Sequence, residues 1–184
     1  MGCGKSTVVA EFAKLGIPAF VADSAGAELY DDPAFLDDVR TLLGSSVFRP
    51  DGSADKRRIA SLVFASPHLL AGLNAMVHPR VLKMFEHFCA LHADAPYVLF
   101  ESAILYDYGF DHLMDSVICV YLQIEDRLER LAERDGSSRE ELLARIANQL
   151  PAEEMMRRAD YVILNYEGNP RQRQVAYIDN ILRQ

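Results

Sequence analysis

An α/β fold with a parallel sheet flanked by helices is what the sequence predicts, and three observations carry that expectation. Short apolar, β-branched or aromatic runs recur at 19–23 (AFVAD), 97–101 (YVLFE), 117–122 (VICVYL) and 161–165 (YVILN). Stretches with apolar residues at helical spacing separate them. Each run is apolar along its whole length, as in a strand buried on both faces, and such strands alternating with helices pair in parallel through right-handed crossovers.

Taken in chain order, the elements justify themselves locally. Gly4-Lys5-Ser6-Thr7 precedes an amphipathic helix, and the run 19–23 follows it as the first visible strand. Residues 45–95 break the alternation: turn signals at Pro50-Asp51-Gly52 give way to helical spacing with no strand candidate, so a helical insertion is expected there. After the strand at 117–122, Asp135-Gly136 breaks a helix, Ser138 with Glu141 makes a capping box, and Pro151 is expected to stop the next helix. A helix-turn-helix hairpin within LERLAERDGSSREELLARIANQLPAEE results, placed above the sheet.

Composition narrows the function. At 184 residues the chain is long enough for about one domain with a substantial core. A net charge of −8 argues against coating a nucleic acid polymer, which needs a broad basic surface, but leaves room for a small anion held by locally concentrated cations. No apolar stretch is long enough to span a bilayer and no leader pattern is visible, so cytoplasmic is the expected location. Cys3, Cys89 and Cys119 are odd in number and far apart, which suggests neither a disulfide framework nor a zinc site.

The opening motif is the second half of a phosphate-binding loop, G-x-x-x-x-G-K-[ST]. Gly4 lets the backbone approach a phosphate, and the free N–H groups at the start of the next helix point at the anion. Lys5 would reach the β- and γ-phosphates of ATP, and the Ser6 hydroxyl would bind Mg²⁺. Asp23, closing the strand AFVAD, is either the acceptor for the proton of an attacking hydroxyl or a helix cap. Glu101 closes YVLFE in the same way and is a candidate to orient substrate or hold a metal-bound water.

Arg127, Arg130 and Arg134 fall at i, i+3 and i+7 on one helix face, with Arg145 and Gln149 on another across the turn. Asp126, Glu129 and Glu133 interleave with them, so a solvated ion-paired face competes with a cluster, including Arg139, that stabilises transferring phosphoryl charge. His78-Pro79 reads as a packed or capping histidine at a helix start. Cys3, beside a helix N-terminus, is a candidate for a lowered thiol pKa.

With these pieces in place the chain resembles the dephospho-CoA kinase family nearly end to end, through GCGKST, LGIPAFVAD, DGSADKRRIASLVF, LNAMVHPRV, RLAERDG with RIANQLP, and ADYVILN, in that order. The resemblance implies a P-loop NTPase-type kinase fold of five strands, with ATP and Mg²⁺ as cofactors and dephospho-CoA as the partner phosphorylated on its ribose 3′-hydroxyl. It divides the single domain 1–184 into a core (1–44, 96–123, 151–184), a CoA-binding insertion (45–95) and a lid (124–150). Gly2, Cys3, Gly4, Lys5, Ser6 and Thr7 match the phosphate loop. Arg130, Arg134, Arg145 and Gln149 fall in the lid, and Asn165 in the adenine-side loop. Asp23 matches the family's general base, with Lys5 and Arg134 as catalytic partners. Asp55, Arg58, His78 and Pro79 lie in the CoA part, and Glu101 replaces an aspartate of the family at the substrate side.

Ala27 departs from the family's histidine or arginine four residues after the base, and Tyr166 from a small polar residue. The family's first strand and leading glycine pair have no counterpart here, so Met1 aligns inside the loop. A chain starting there is expected to be weakly stable and to bind ATP weakly. The competing expectations are another P-loop small-molecule kinase and a non-catalytic nucleotide-binding module.

Overall fold

The computed structural model describes residues 1–147 and 149–184. In chain order it contains α1 (Lys5–Lys14), β1 (Ala19–Val21), α2 (Ala22–Glu28), α3 (Pro33–Leu43), α4 (Lys56–Phe64), α5 (Pro67–Leu91), β2 (Leu99–Glu101), β3 (Ile118–Tyr121), α6 (Ile124–Asp135), α7 (Arg139–Ala147), α8 (Ala152–Arg158), β4 (Tyr161–Leu164) and α9 (Arg171–Leu182). The chain forms two compact units, Met1–Ala19 with Asp94–Gln184, and Phe20–Ala93.

The first unit is organised around a parallel pair of strands. β3 and β4 run side by side in the register Ile118↔Tyr161 to Tyr121↔Leu164. Helix α1 buries Val8 and Phe12, one turn apart, in a cluster with Ile17, Ile163, Val175 and Ile178. Ile118 and Val120 of β3 and Leu99 of β2 pack against that cluster. Deleting the Phe12 ring, fully enclosed here, costs about 3–5 kcal/mol. The same packing fixes the start of α1, where Gly4, Lys5, Ser6 and Thr7 lie.

The hairpin expected at 124–150 follows its sequence signals closely. α6 ends at Asp135, Gly136 turns left-handed at φ +65°, and its N–H donates to the Ala132 carbonyl. The capping box is reciprocal: Glu141 Oε2 accepts from Ser138 N–H at 3.0 Å, and Ser138 Oγ accepts from Glu141 N–H at 3.2 Å. Leu128, Leu131 and Leu142 close the hairpin as a separate small core. Pro151, expected to stop the preceding helix, stands beyond α7 (Arg139–Ala147) at the N-cap of α8. Asn148, within RIANQLP, lies outside the described residues.

The second unit is mostly helical, as the absence of strand candidates over 45–95 predicted. Asp32 caps α3 by accepting from Ala34 N–H, Asp55 caps α4 by accepting from Arg58 N–H, and Ser66 caps α5 by accepting from Leu69 N–H. Two local expectations need correction. Pro79 does not begin a helix but sits inside the 25-residue α5, where it forfeits the N–H that would meet the Ala75 carbonyl and crowds that carbonyl with its ring. Flanking residues hold the helix together, since Val81 is buried and Arg80 bonds both the Met76 carbonyl and Asp38. The strand at 19–23 is also shorter than expected: α2 begins at Ala22, so Asp23 lies in its first turn.

Candidate functional site

Gly4 is the hinge of the site. Its backbone is left-handed, φ +86° and ψ 32°, and it caps α1 without any side-chain hydrogen bond. A Cβ at this position would stand 2.2 Å from Asn165 Nδ2, so both the torsion and the space require glycine. Lys5, Ser6 and Thr7 then form the first turn of α1, where three residues' N–H groups lack partners within the helix and the hydroxyls of Ser6 and Thr7 are exposed. This is the geometry of an anion-binding helix start.

The loop is held from both sides. Asn165, only 2% exposed, follows β4 and extends its ladder by donating its N–H to the Tyr121 carbonyl at 2.8 Å. Its Nδ2 donates to the Cys3 carbonyl at 2.7 Å, and its Oδ1 accepts from Arg171 Nη1 at 2.7 Å. On the other side Gly2 lies against α6, where a Cβ would come within 2.8 Å of Leu131. Arg127, buried on α6, donates from Nε to the Met1 carbonyl at 3.0 Å, and the Met1 amino group donates to Gln149 Oε1 at 2.8 Å.

Charge is distributed unevenly around this loop. Lys5 Nζ stands 3.5 Å from Glu101 Oε1 at the end of β2, both side chains being largely shielded. Arg134 and Arg145 share one carboxylate, Asp135, at 2.7 and 3.1 Å. Arg139 makes a two-pronged pair with Glu125. Arg130 is different: its Nη1 is 3.6 Å from the point a Gly4 Cβ would occupy, so this α6 arginine reaches the loop directly. The three arginines that share a face in the sequence therefore split into a buried brace, a loop neighbour and an exposed ion pair.

A family model of dephospho-CoA kinase matches residues 1–170. The chain belongs to the dephospho-CoA kinase family. It is 37% identical over 166 residues to the dephospho-CoA kinase of Anaeromyxobacter dehalogenans, covering 88% of this chain and 78% of that one. It is 32% identical over 171 residues to that of Bacteroides fragilis, covering 92% and 83%. A crystal structure of TT1252 from Thermus thermophilus superposes with a TM-score of 0.89 at 30% identity, over 98% of this chain and 92% of that one. The dephospho-CoA kinase from Campylobacter jejuni shares the fold at a TM-score of 0.63 and 22% identity, over 99% and 93%. As a member of the dephospho-CoA kinase family the chain is a kinase, with ATP as its phosphoryl donor.

Asp23, Arg58 and His78, expected to supply the base and the CoA contacts, belong to the second unit. Asp23 is exposed in the first turn of α2, and the cap of that helix is Val21, so the carboxylate is neither at a strand end nor capping. Arg58 is exposed on α4, with its N–H taken by Asp55. His78 is half-buried within α5, and burial lowers its pKa below the ordinary histidine value. At Ala27 the carbonyl accepts from Lys56 Nζ at 3.1 Å, so a cation from α4 stands beside this position.

Cys119, on β3, is pushed up to about 11 by burial and remains a thiol at neutral pH. Sequence reasoning missed Arg171. Its only trace was its place six residues after Asn165, just past Asn169-Pro170, at the start of the last helix.

Proposed function

We propose that the chain transfers the γ-phosphoryl group of ATP to the ribose 3′-hydroxyl of dephospho-CoA, giving coenzyme A and ADP, the last step of CoA biosynthesis. The observation that carries this reading is the left-handed Gly4 opening α1 directly onto Lys5, inside a chain whose match to dephospho-CoA kinases runs over residues 1–170.

In this reading the N–H groups of the first turn of α1 and the Lys5 ammonium hold the β- and γ-phosphates. The Lys5–Glu101 pair has to loosen as phosphate oxygens take the ammonium, which leaves Glu101 free to face the substrate. Arg130 reaches the phosphates from α6. Arg134 and Arg145 join it once Asp135 releases them, through closure of the lid over 124–150. Asp23 accepts the proton of the 3′-hydroxyl as its oxygen bonds to the γ-phosphorus and the bond to the ADP oxygen breaks. His78 and Arg58 bind the CoA moiety within the part assigned to 45–95.

Mg²⁺ fits the donors present. It keeps several waters and is bound through substrate phosphates with few protein ligands, so the exposed Ser6 hydroxyl in the first turn of α1 suffices. When bound, the ion neutralises charge on the β- and γ-oxygens. The enzyme acts in the cytoplasm.

The test is incubation with ATP, MgCl₂ and dephospho-CoA, following ADP release and the phosphorylation site by phosphorus NMR. One ADP per 3′-phosphorylated product, with nucleoside monophosphates left untouched, is expected. Transfer to a nucleoside monophosphate instead would replace this reading with another small-molecule kinase. ATP binding without any transfer would leave a nucleotide-binding module.

A further inference from the structure

We propose that Arg171 is a positioning residue for the phosphate loop, acting through Asn165 and touching no substrate itself. The inference rests on the reading of Gly4–Thr7 as the ATP phosphate site. The chain of contacts is short: Arg171 Nη1 donates to Asn165 Oδ1 at 2.7 Å, and Asn165 Nδ2 donates to the Cys3 carbonyl at 2.7 Å.

A carboxamide has one oxygen and one nitrogen, so its orientation decides which neighbour it serves. With a guanidinium on one side and a carbonyl on the other, only one orientation satisfies both. The flipped amide would face its own NH₂ to Arg171 and its oxygen to the Cys3 oxygen, losing two hydrogen bonds inside a residue that is 2% exposed. Arg171 fixes the choice together with the Cys3 carbonyl, because its planar fork can only donate as the carbonyl can only accept.

The consequence reaches the loop through peptide geometry. The Cys3–Gly4 bond is trans, so its carbonyl and the Gly4 N–H point in opposite directions. Holding the Cys3 carbonyl on the Asn165 side therefore turns the Gly4 N–H the other way. Gly4 cannot relax this by moving toward Asn165, since the amide nitrogen already fills the space beside its Cα. The strand end carrying Asn165 is itself clamped by the same helix: Gln174 Oε1 accepts from Leu164 N–H at 2.9 Å and its Nε2 donates to the Leu164 carbonyl at 3.0 Å. Arg171 and Gln174, one turn apart on α9, thus tie the last helix to the first loop.

Steady-state kinetics of Arg171→Met and Arg171→Lys, with thermal melts, test this. Loss of a charge-assisted, buried hydrogen bond predicts that R171M raises KM for ATP about tenfold or more while KM for dephospho-CoA stays within about twofold. R171K, whose ammonium can still donate to Oδ1, should recover a large part of the loss. The double variant with Asn165→Ala should be no worse than N165A alone, because both remove one brace. A lowered melting temperature with both KM values unchanged, in R171M or R171K, overturns the proposal, as does an additive double variant. A wild type that binds no ATP would sink the phosphate-site reading itself, whereas an active wild type with R171M unchanged sinks this inference alone.

Discussion

Asn165 occupies the space that a side chain on Gly4 would need: its Nδ2 lies 2.2 Å from the ideal Cβ position. Gly4→Ala therefore combines a collision in a buried place with a left-handed torsion that costs a non-glycine residue about 1–2 kcal/mol on its own. Calorimetric ATP titration and thermal melts of G4A should show affinity lower by at least tenfold together with reduced stability. Affinity preserved to within a factor of two would mean that the loop does not hold this conformation when nucleotide binds.

Lys5 separates binding and chemistry from folding. Its Nζ stands 3.5 Å from Glu101, beyond ordinary hydrogen-bond length, so removing the ammonium breaks no short bond. Lys5→Met should therefore leave the melting temperature within a few degrees while kcat/KM falls by at least a hundredfold, about 2.7 kcal/mol of transition-state stabilisation. A variant that melts much earlier but keeps its turnover would make the lysine a structural residue.

Asp23 is predicted to act on the acceptor and not on the nucleotide. Asp23→Asn should lower kcat at least a hundredfold with ATP affinity within about threefold, measured by single-turnover kinetics beside direct titration. Turnover within tenfold of the wild type would remove its assignment as the base.

Acid sensitivity is expected at Asp179, which accepts from Tyr97 Oη at 2.6 Å and from Arg183 Nε at 2.9 Å. Burial works to raise its pKa, but these hydrogen bonds outweigh burial and hold the carboxyl below the usual aspartate range. Its contribution is complete above the unfolded value of about 3.9 and is lost as pH falls through the lower folded value. Asp179→Asn should thus be less stable than the wild type at pH 7, with the gap narrowing below about pH 4. Urea unfolding across that range checks the sign, and a gap independent of pH would show that the charge is not what matters.

The α6–α7 hairpin has a small core of its own, so damage there should remain local. Leu142→Ala, at a site with no exposure, removes about 2–5 kcal/mol from the packing of Leu128 and Leu131. Limited proteolysis should then cut near Gly136 well before the rest of the chain unfolds. Cleavage spread evenly along the chain would show that the hairpin and the strand core melt together.

Much of the architecture was legible because its signals are local. The strands at 99–101, 118–121 and 161–164, the glycine stop at 136 and the Ser138–Glu141 box all follow from residues close in sequence. Pro79 misled because packing of a long helix outweighs one missing hydrogen bond, and such packing is set by Val81, Arg80 and Asp38 rather than by the dipeptide itself. Asp23 was placed at a strand end because the apolar run AFVAD does not reveal that α2 begins at Ala22. The glycine-led start of α1 could be read from Gly4-Lys5-Ser6, but what braces it could not. Arg171 and Arg127 act over separations of 6 and 126 residues, one onto a side chain and one onto a carbonyl, with no periodic signature.

The central claim is that the N–H groups opening α1 grip the triphosphate of ATP. Nitrogen-15 labelled protein titrated with MgATP reads those amides one by one. The largest chemical-shift changes should fall on Gly4, Lys5, Ser6 and Thr7 and should be lost in Lys5→Met. Saturable ATP binding that leaves these four amides unmoved would contradict the account.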